Sequence, residues 1–171
     1  MLIIMSGLPG TGKSTIAREL ARRLNGMFLR ADTIAQALIS AEILKDDDNP
    51  AAYIVGYALA EENLRAGATV IADYVNGMEL TRQAWRDVAA RANVPFHAIE
   101  VICSDEVEHR RRVETRVSDI AGLELPTWKQ VVDRTFEKWG AGTTTVDTSI
   151  TSLADAISGL LLQLGKGRDD H

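Results

Sequence analysis

The chain has 171 residues and a formal charge of −5, from 19 Lys and Arg against 24 Asp and Glu. That length suits one domain with a real core, and the acidic balance argues against a nucleic-acid or anionic-membrane partner, which basic surfaces normally meet. The lone cysteine, Cys103, excludes an internal disulfide and suits a reducing cytoplasm, while His97, His109 and His171 lack the spacing of a metal site.

The first apolar run predicts a strand over Leu2–Ser6; it is too short for a signal peptide, and no run in the chain reaches membrane-spanning length. Gly7-Leu8-Pro9-Gly10-Thr11-Gly12-Lys13-Ser14-Thr15 follows and fits G-x-x-x-x-G-K-[ST]. The glycines let the backbone curl around an anion, so that consecutive N–H groups and a helix N-terminus converge on it. Lys13 can then reach the outer phosphates of a nucleoside triphosphate, and the Ser14 hydroxyl can ligate Mg²⁺. A plain glycine turn would explain the glycines but not the Lys-Ser that follows them. Gly7, Gly10, Thr11, Gly12, Lys13, Ser14 and Thr15 are therefore expected around bound triphosphate, with a helix over Lys13–Leu24.

A second strand is predicted over Met27–Arg30 and a helix over Thr33–Leu44. Asp32 lies between them. Phosphoryl transfer to a hydroxyl needs a carboxylate that orients the acceptor and takes its proton, and a loop beside the phosphate loop can place one there. The alternative is that Asp32 caps the helix beginning at Thr33. Arg30, next to it, is a candidate acceptor contact. Asp46-Asp47-Asp48-Asn49-Pro50 reads as a solvated break before a helix over Ala51–Ala66, where Tyr53 and Tyr57 share a face as core residues or as a ligand wall.

The third strand, Ala68–Asp73, is an apolar run ending in a carboxylate, the form of an acid that holds Mg²⁺ beside a phosphate loop; a strand-terminal Asp bonded to the next turn has the same form. Asn76 either touches the acceptor or simply makes the Asn-Gly turn. Arg82, on a helix predicted over Leu80–Ala92, either meets an anion or is solvated.

A fourth strand over Phe96–Cys103 leads into a helix over Asp105–Val117. Glu106–Arg110 and Glu108–Arg112 can pair along it, but Arg112 and Arg116 are also four apart and would repel on one face unless they share an anion such as the nucleotide phosphates. Trp128, Val132, Thr135, Phe136 and Trp139 form a packing stripe on a helix over Trp128–Trp139. A fifth strand over Thr143–Asp147 puts Asp147-Thr148 within reach of the nucleotide base, and a helix over Leu153–Leu164 precedes a polar tail, 165–171, expected to fray. The alternation is that of an α/β domain with a mainly parallel sheet. Its polar residues gather where strands end, the place where such sheets bind ligands.

With these residues in view, the chain resembles the small P-loop kinases of the polynucleotide-kinase-like, zeta-toxin-like, gluconate-kinase-like and antibiotic-phosphotransferase group. The similarity runs from about Leu2 to Leu164. Asp32 matches the group's acceptor base, Asp73 its aspartate at the end of the third strand, and Asp73-Tyr74-Val75-Asn76 is similar to Asp-x-x-Asn. Arg112 and Arg116 match its lid arginines and Asp147-Thr148 its final strand end. The resemblance implies a three-layer P-loop fold with a five-stranded parallel sheet in order 2-3-1-4-5 and a lid over about 105–140, in a single domain covering 1–164. It also implies an ATP- and Mg²⁺-dependent kinase acting on a hydroxyl of a small molecule. In that scheme Lys13, Asp32, Arg112 and Arg116 are catalytic, and Ser14 and Asp73 hold the metal. Arg112 also contacts the nucleotide, and Arg30, Asp32, Tyr53, Tyr57, Asn76 and Arg82 face the acceptor. Tyr74 and Val75 depart from the small polar residues of the polynucleotide-kinase pattern. Asp32 and Asp73 can exchange roles, and a nucleotide switch or ATPase without acceptor, or a polynucleotide-end kinase, are the alternatives.

Overall fold

The computed structural model describes residues 1–45 and 50–165; the acidic break at 46–49 and the tail at 166–171 lie outside them. In chain order the described elements are β1 (Leu2–Ser6), α1 (Lys13–Arg23), β2 (Met27–Arg30), α2 (Ala31–Ser40), α3 (Ala51–Arg65), β3 (Val70–Asp73) and α4 (Glu79–Arg91). Then come β4 (Phe96–Ile102), α5 (Glu106–Thr115), α6 (Trp128–Val132), β5 (Thr143–Asp147) and α7 (Leu153–Gln163). The strands form one parallel sheet in order 2-3-1-4-5, the topology that the resemblance implies.

A parallel sheet is covered on both faces, so its inner strands read as unbroken apolar runs. β1 is the extreme case, buried at every position. Alternation along it sends Ile3 and Met5 to a core with Ile16 and Leu20 of α1 and Ile157 and Leu160 of α7. Leu2 and Ile4 point the other way, to Leu64 of α3 and Trp85 and Val88 of α4. The register pairs Met5 with Asp73 and Asp73 with Arg30, aligning the carboxyl ends of β1, β3 and β2. That alignment builds the floor of the site.

Two elements differ from their sequence-based outlines in ways that bear on the site, beyond shifts of one or two residues at the ends of others such as β3 and α5. α2 starts at Ala31 with Arg30 as N-cap, so Asp32 lies in its first turn and is not the cap. A carboxylate there still suits the positive end of the helix dipole. The helix foreseen over Trp128–Trp139 stops at Val132, although Thr127 and Gln130 close a full capping box at its start. Beyond it the chain is irregular, and Val132 is half exposed instead of packed in a stripe. Arg82 is one part of the reason. Its fully buried guanidinium donates to the carbonyls of Asn76, Gly77, Glu137 and Lys138, and its charge lies over the rings of Trp139 at 4.2 Å and Phe136 at 5.5 Å. The last four carbonyls of a helix ending at Trp139 would be free in any case; what leaves the helical ladder is the Glu137 N–H, which donates to the Gly77 carbonyl at 2.7 Å. Arg82 holds the stretch in place there as a buried cation with no carboxylate partner.

Candidate active site

At the carboxyl ends of the strands lies a cleft of about 450 Å³, lined by Leu8–Gly10 and Gly12–Thr15, with Thr11 buried behind them, and by residues from the 116–126 segment. The loop between β1 and α1 turns through three left-handed glycines, Gly7, Gly10 and Gly12, at φ 144°, 87° and 89°. Gly12 caps α1 without a side-chain bond, and the first turn carries no acidic residue. The positive end of α1 is left for an external anion. Close packing also requires the glycines: a Cβ on Gly7 would strike the Val101 carbonyl, and one on Gly10 would sit 2.5 Å from Val113 Cγ2 of α5.

Two side chains hold this loop from outside. Thr148, just after β5, donates to the Thr11 carbonyl at 2.7 Å. His109 of α5 places Nε2 2.8 Å from the Pro9 carbonyl; since a carbonyl only accepts, Nε2 carries the proton. The His109 ring meets Trp128 of α6 edge-on. His109 has no metal-site spacing to mark it in the sequence. Its position three residues before Arg112, on the same helical face, was the available signal.

Lys13 forms an ion pair with Asp73 Oδ1 on the cleft floor. Asp73 Oδ2 is buried without a hydrogen bond, 3.9 Å from Arg30 Nε, which is likewise unpartnered. Ser14 lines the same cleft as Asp73. No group of three or more His, Cys, Asp or Glu residues able to hold a metal occurs among the described residues. A hydroxyl and one carboxylate oxygen are the donor set of an ion that keeps water and phosphate ligands, and they fit Mg²⁺.

Asp32 projects into the cleft with its side chain 51% exposed and accepts from Arg30 Nη2 at 3.2 Å. Arg112 is held at Nε by Glu108 at 2.7 Å, and its other nitrogens donate to Thr148 Oγ1 and the Thr148 carbonyl. Glu106 does not pair with Arg110, which bonds Glu114. Arg116 lies just past the end of α5 in extended conformation, so it and Arg112 do not share a helix face; both nonetheless line the cleft. The repulsion expected between them is relieved by the helix ending and by Glu108.

Four expected acceptor contacts lie behind the cleft, not in it. Arg82 is committed to the carbonyls described above. Asn76, fully buried at φ 49°, donates to the Met5 carbonyl and accepts from Trp85 Nε1. Tyr53 and Tyr57 pack in an aromatic cluster with Tyr74 and Trp85. Burial pushes both phenols above their ordinary pKa. These residues brace the turn after β3; none lines the cleft. Asp147 is also occupied, accepting from Ser104 and Ser149. Burial opposes its charge, but those hydrogen bonds outweigh burial and hold the carboxyl well below the usual range.

Residues not foreseen enter the cleft from a distance. Asp119 bridges Arg30 Nη1 at 2.7 Å and Arg18 Nη2 at 2.5 Å, and Arg134 lines the rim. No local pattern announces an ion pair spanning 89 residues.

Comparison with known proteins agrees with this architecture. A family profile described as an AAA domain matches residues 2–137. A cytidylate kinase of Sulfurisphaera tokodaii is 30% identical over 138 residues, 66% of this chain and 74% of that protein. Among solved structures, a candidate kinase from Chloroflexus aurantiacus superposes with TM-score 0.76 at 22% identity, covering 97% of this chain and 96% of that one. A gluconokinase from Sinorhizobium meliloti 1021 does so with TM-score 0.64 at 19% identity, covering 96% and 91%. The fold is the kinase-like P-loop fold.

Proposed function

Since the chain belongs to the AAA domain family and has the kinase-like P-loop fold, we propose that it is an ATP-dependent phosphotransferase acting on a hydroxyl of a small molecule. The observation that carries this reading is one cleft lined both by the glycine loop with Lys13 and Ser14 and by an accessible carboxylate, Asp32, from the first turn of α2. The names of the cytidylate kinase and gluconokinase relatives support phosphoryl transfer as the reaction class.

In this reading residues 1–164 act as one domain and about 105–140 as its lid. Backbone N–H groups of residues 8–14 bind the phosphates, and Lys13 exchanges Asp73 for the outer phosphate oxygens. Mg²⁺, held by Ser14 with Asp73, would neutralise charge on those oxygens. Asp32 accepts the proton as the acceptor oxygen bonds to the γ-phosphorus and the bridging P–O bond to ADP breaks. Arg112 and Arg116 lie over the charge that develops and help exclude water.

Incubation with ATP·Mg²⁺ and a pooled library of hydroxyl metabolites, sugars, nucleosides and antibiotics, read by mass spectrometry, tests the proposal. Wild type yields a phosphorylated product and Asp32→Asn, with ATP affinity nearly unchanged, does not. Comparable transfer by Asp32→Asn would remove it as the base. ATP consumption without any product, equal in both forms, would replace transfer by hydrolysis.

A further inference from the structure

The cleft lining holds more positive charge than the nucleotide scheme, which calls on Lys13, Arg112 and Arg116, can use. Lys13 is taken by Asp73 and Arg112 by Glu108. Arg18, Arg30, Arg116 and Arg134 remain in the lining. Asp32, Asp119 and, at 3.9 Å from Arg30 Nε, Asp73 are the carboxylates that reach any of them, while Glu124, exposed on the rim, pairs with none. Arg134 has no carboxylate within 4 Å among the described residues, and neither does Arg116, whose Nε is buried without a hydrogen bond. Burial works against the Arg116 charge, Asp32 favours it, and Arg30 and Arg134 oppose it further. Arg30 bonds Asp32, and Arg116 lies within electrostatic reach of Asp32, Arg30 and Arg134; two of these three guanidinium groups, Arg30 and Arg116, carry a buried Nε with no acceptor. A buried donor with no acceptor is costly unless a ligand answers it.

Asp119 shows what that ligand is like. Its two carboxylate oxygens each take a different arginine, Oδ1 on Arg30 and Oδ2 on Arg18. It comes from the segment between α5 and α6 that also lines the cleft through Val117, Leu123, Leu125 and Pro126. The Arg18–Asp119 pair is more than half exposed on both sides, and half-exposed pairs are weak and replaceable.

We propose that the acceptor bears an anionic group, a carboxylate or a phosphate, which binds Arg30, Arg116 and Arg134 beside Asp32, and that Asp119 occupies part of this site until the acceptor displaces it. The inference rests on the phosphotransferase reading and narrows its substrate class to anionic hydroxyl compounds. Displacement also gives the lid segment a reason to rearrange when the acceptor arrives, because its link to β2 and α1 is the bond the acceptor takes over.

The test uses the full chain saturated with a non-hydrolysable ATP analogue and Mg²⁺, so that the phosphate loop is filled. Inorganic phosphate and acetate are titrated separately by calorimetry at constant ionic strength; the pair distinguishes a phosphate from a carboxylate site. Asp119→Asn is expected to bind the preferred anion about tenfold more tightly than wild type, and Arg116→Gln and the exposed Arg134→Gln about tenfold more weakly. Equal affinity in wild type and Asp119→Asn, no binding by either, or no loss in Arg134→Gln, whose fold is not at risk, overturns the inference. In parallel the acceptor library is divided into anionic hydroxyl compounds and neutral counterparts. Products from the anionic set support the inference, and products from the neutral set alone overturn it while the phosphotransferase reading stands. Failure to bind the ATP analogue at all would instead bring down the reading on which it rests, and the inference with it.

Discussion

Lys13 and Asp73, sixty positions apart, form an ion pair on the cleft floor with side chains only 11% and 1% exposed. The register of β1 against β3 makes it, by setting Met5 beside Asp73 at the point where β1 gives way to the phosphate loop. Removing one member strands the other in a nearly dry site. Lys13→Ala is expected to lower stability by about 3 kcal/mol in urea denaturation as well as weaken ATP binding. Lys13→Ala with Asp73→Asn should recover stability but not ATP affinity. Unchanged ATP affinity in Lys13→Ala would count against the phosphate-loop assignment.

Arg82 separates structural from functional arginines. Arg82→Leu removes a donor from four carbonyls, of which Gly77 and Asn76 keep another from Glu137 N–H and the Ser6 hydroxyl, and uncovers Trp139 and Phe136. A loss of about 3 kcal/mol or more is expected in chemical denaturation. Arg82→Lys should not restore it, because an ammonium cannot match the planar fork. A loss under about 0.5 kcal/mol, the range of surface changes, would show that the segment after α6 holds itself.

Gly56 lies on α3 against Tyr74, whose hydroxyl donates to the Ala52 carbonyl. A Cβ there would fall on that hydroxyl. Alanine favours a helix by about 1 kcal/mol over glycine, yet overpacking a core costs about 1–3 kcal/mol. Gly56→Ala should therefore lower Tm. A raised Tm would mean that Tyr74 has room to move.

Acid stability follows from the depressed carboxyls. Arg111 and Arg112 hold Glu108 at about 2, and Arg22 and Arg23 hold Glu19 at about 2, against an ordinary 4.5. A carboxyl lowered on folding stabilises above its unfolded pKa, and that contribution is lost as pH falls to the folded value. Asp147 acts in the same sense. The steep part of a Tm-against-pH curve should lie between pH 4.5 and about 2 and flatten in Glu108→Gln. Both side chains of the Glu108 pairs are partly exposed, so added salt should shrink the effect.

Much of this protein is written locally. Unbroken apolar runs mark buried parallel strands, and four of the five strands begin at their expected residues because a run ends where a turn-forming residue stands. The phosphate loop is equally legible, since a chain that wraps an anion needs glycine where φ is positive. The irregular stretch after Val132 was not legible: its amphipathic spacing is genuinely helical, and only contacts with the distant turn after β3 and with Arg82 hold it out of a helix.

Sequence by itself therefore determined the fold class and the phosphate loop, which depend on patterns and conformations within a few residues of one another; the strand order, a matter of long-range pairing, came only through the resemblance. Only the tertiary structure decided which polar residues face the cleft. It turned Arg82, Asn76, Tyr53 and Tyr57 inward to brace the turn after β3, and it brought Arg18, Asp119, Arg134 and His109 to the site. Charge and hydrogen-bonding capacity are properties of a residue. The partner that satisfies them is a property of the packed chain, because a buried polar group takes whichever acceptor the fold sets beside it.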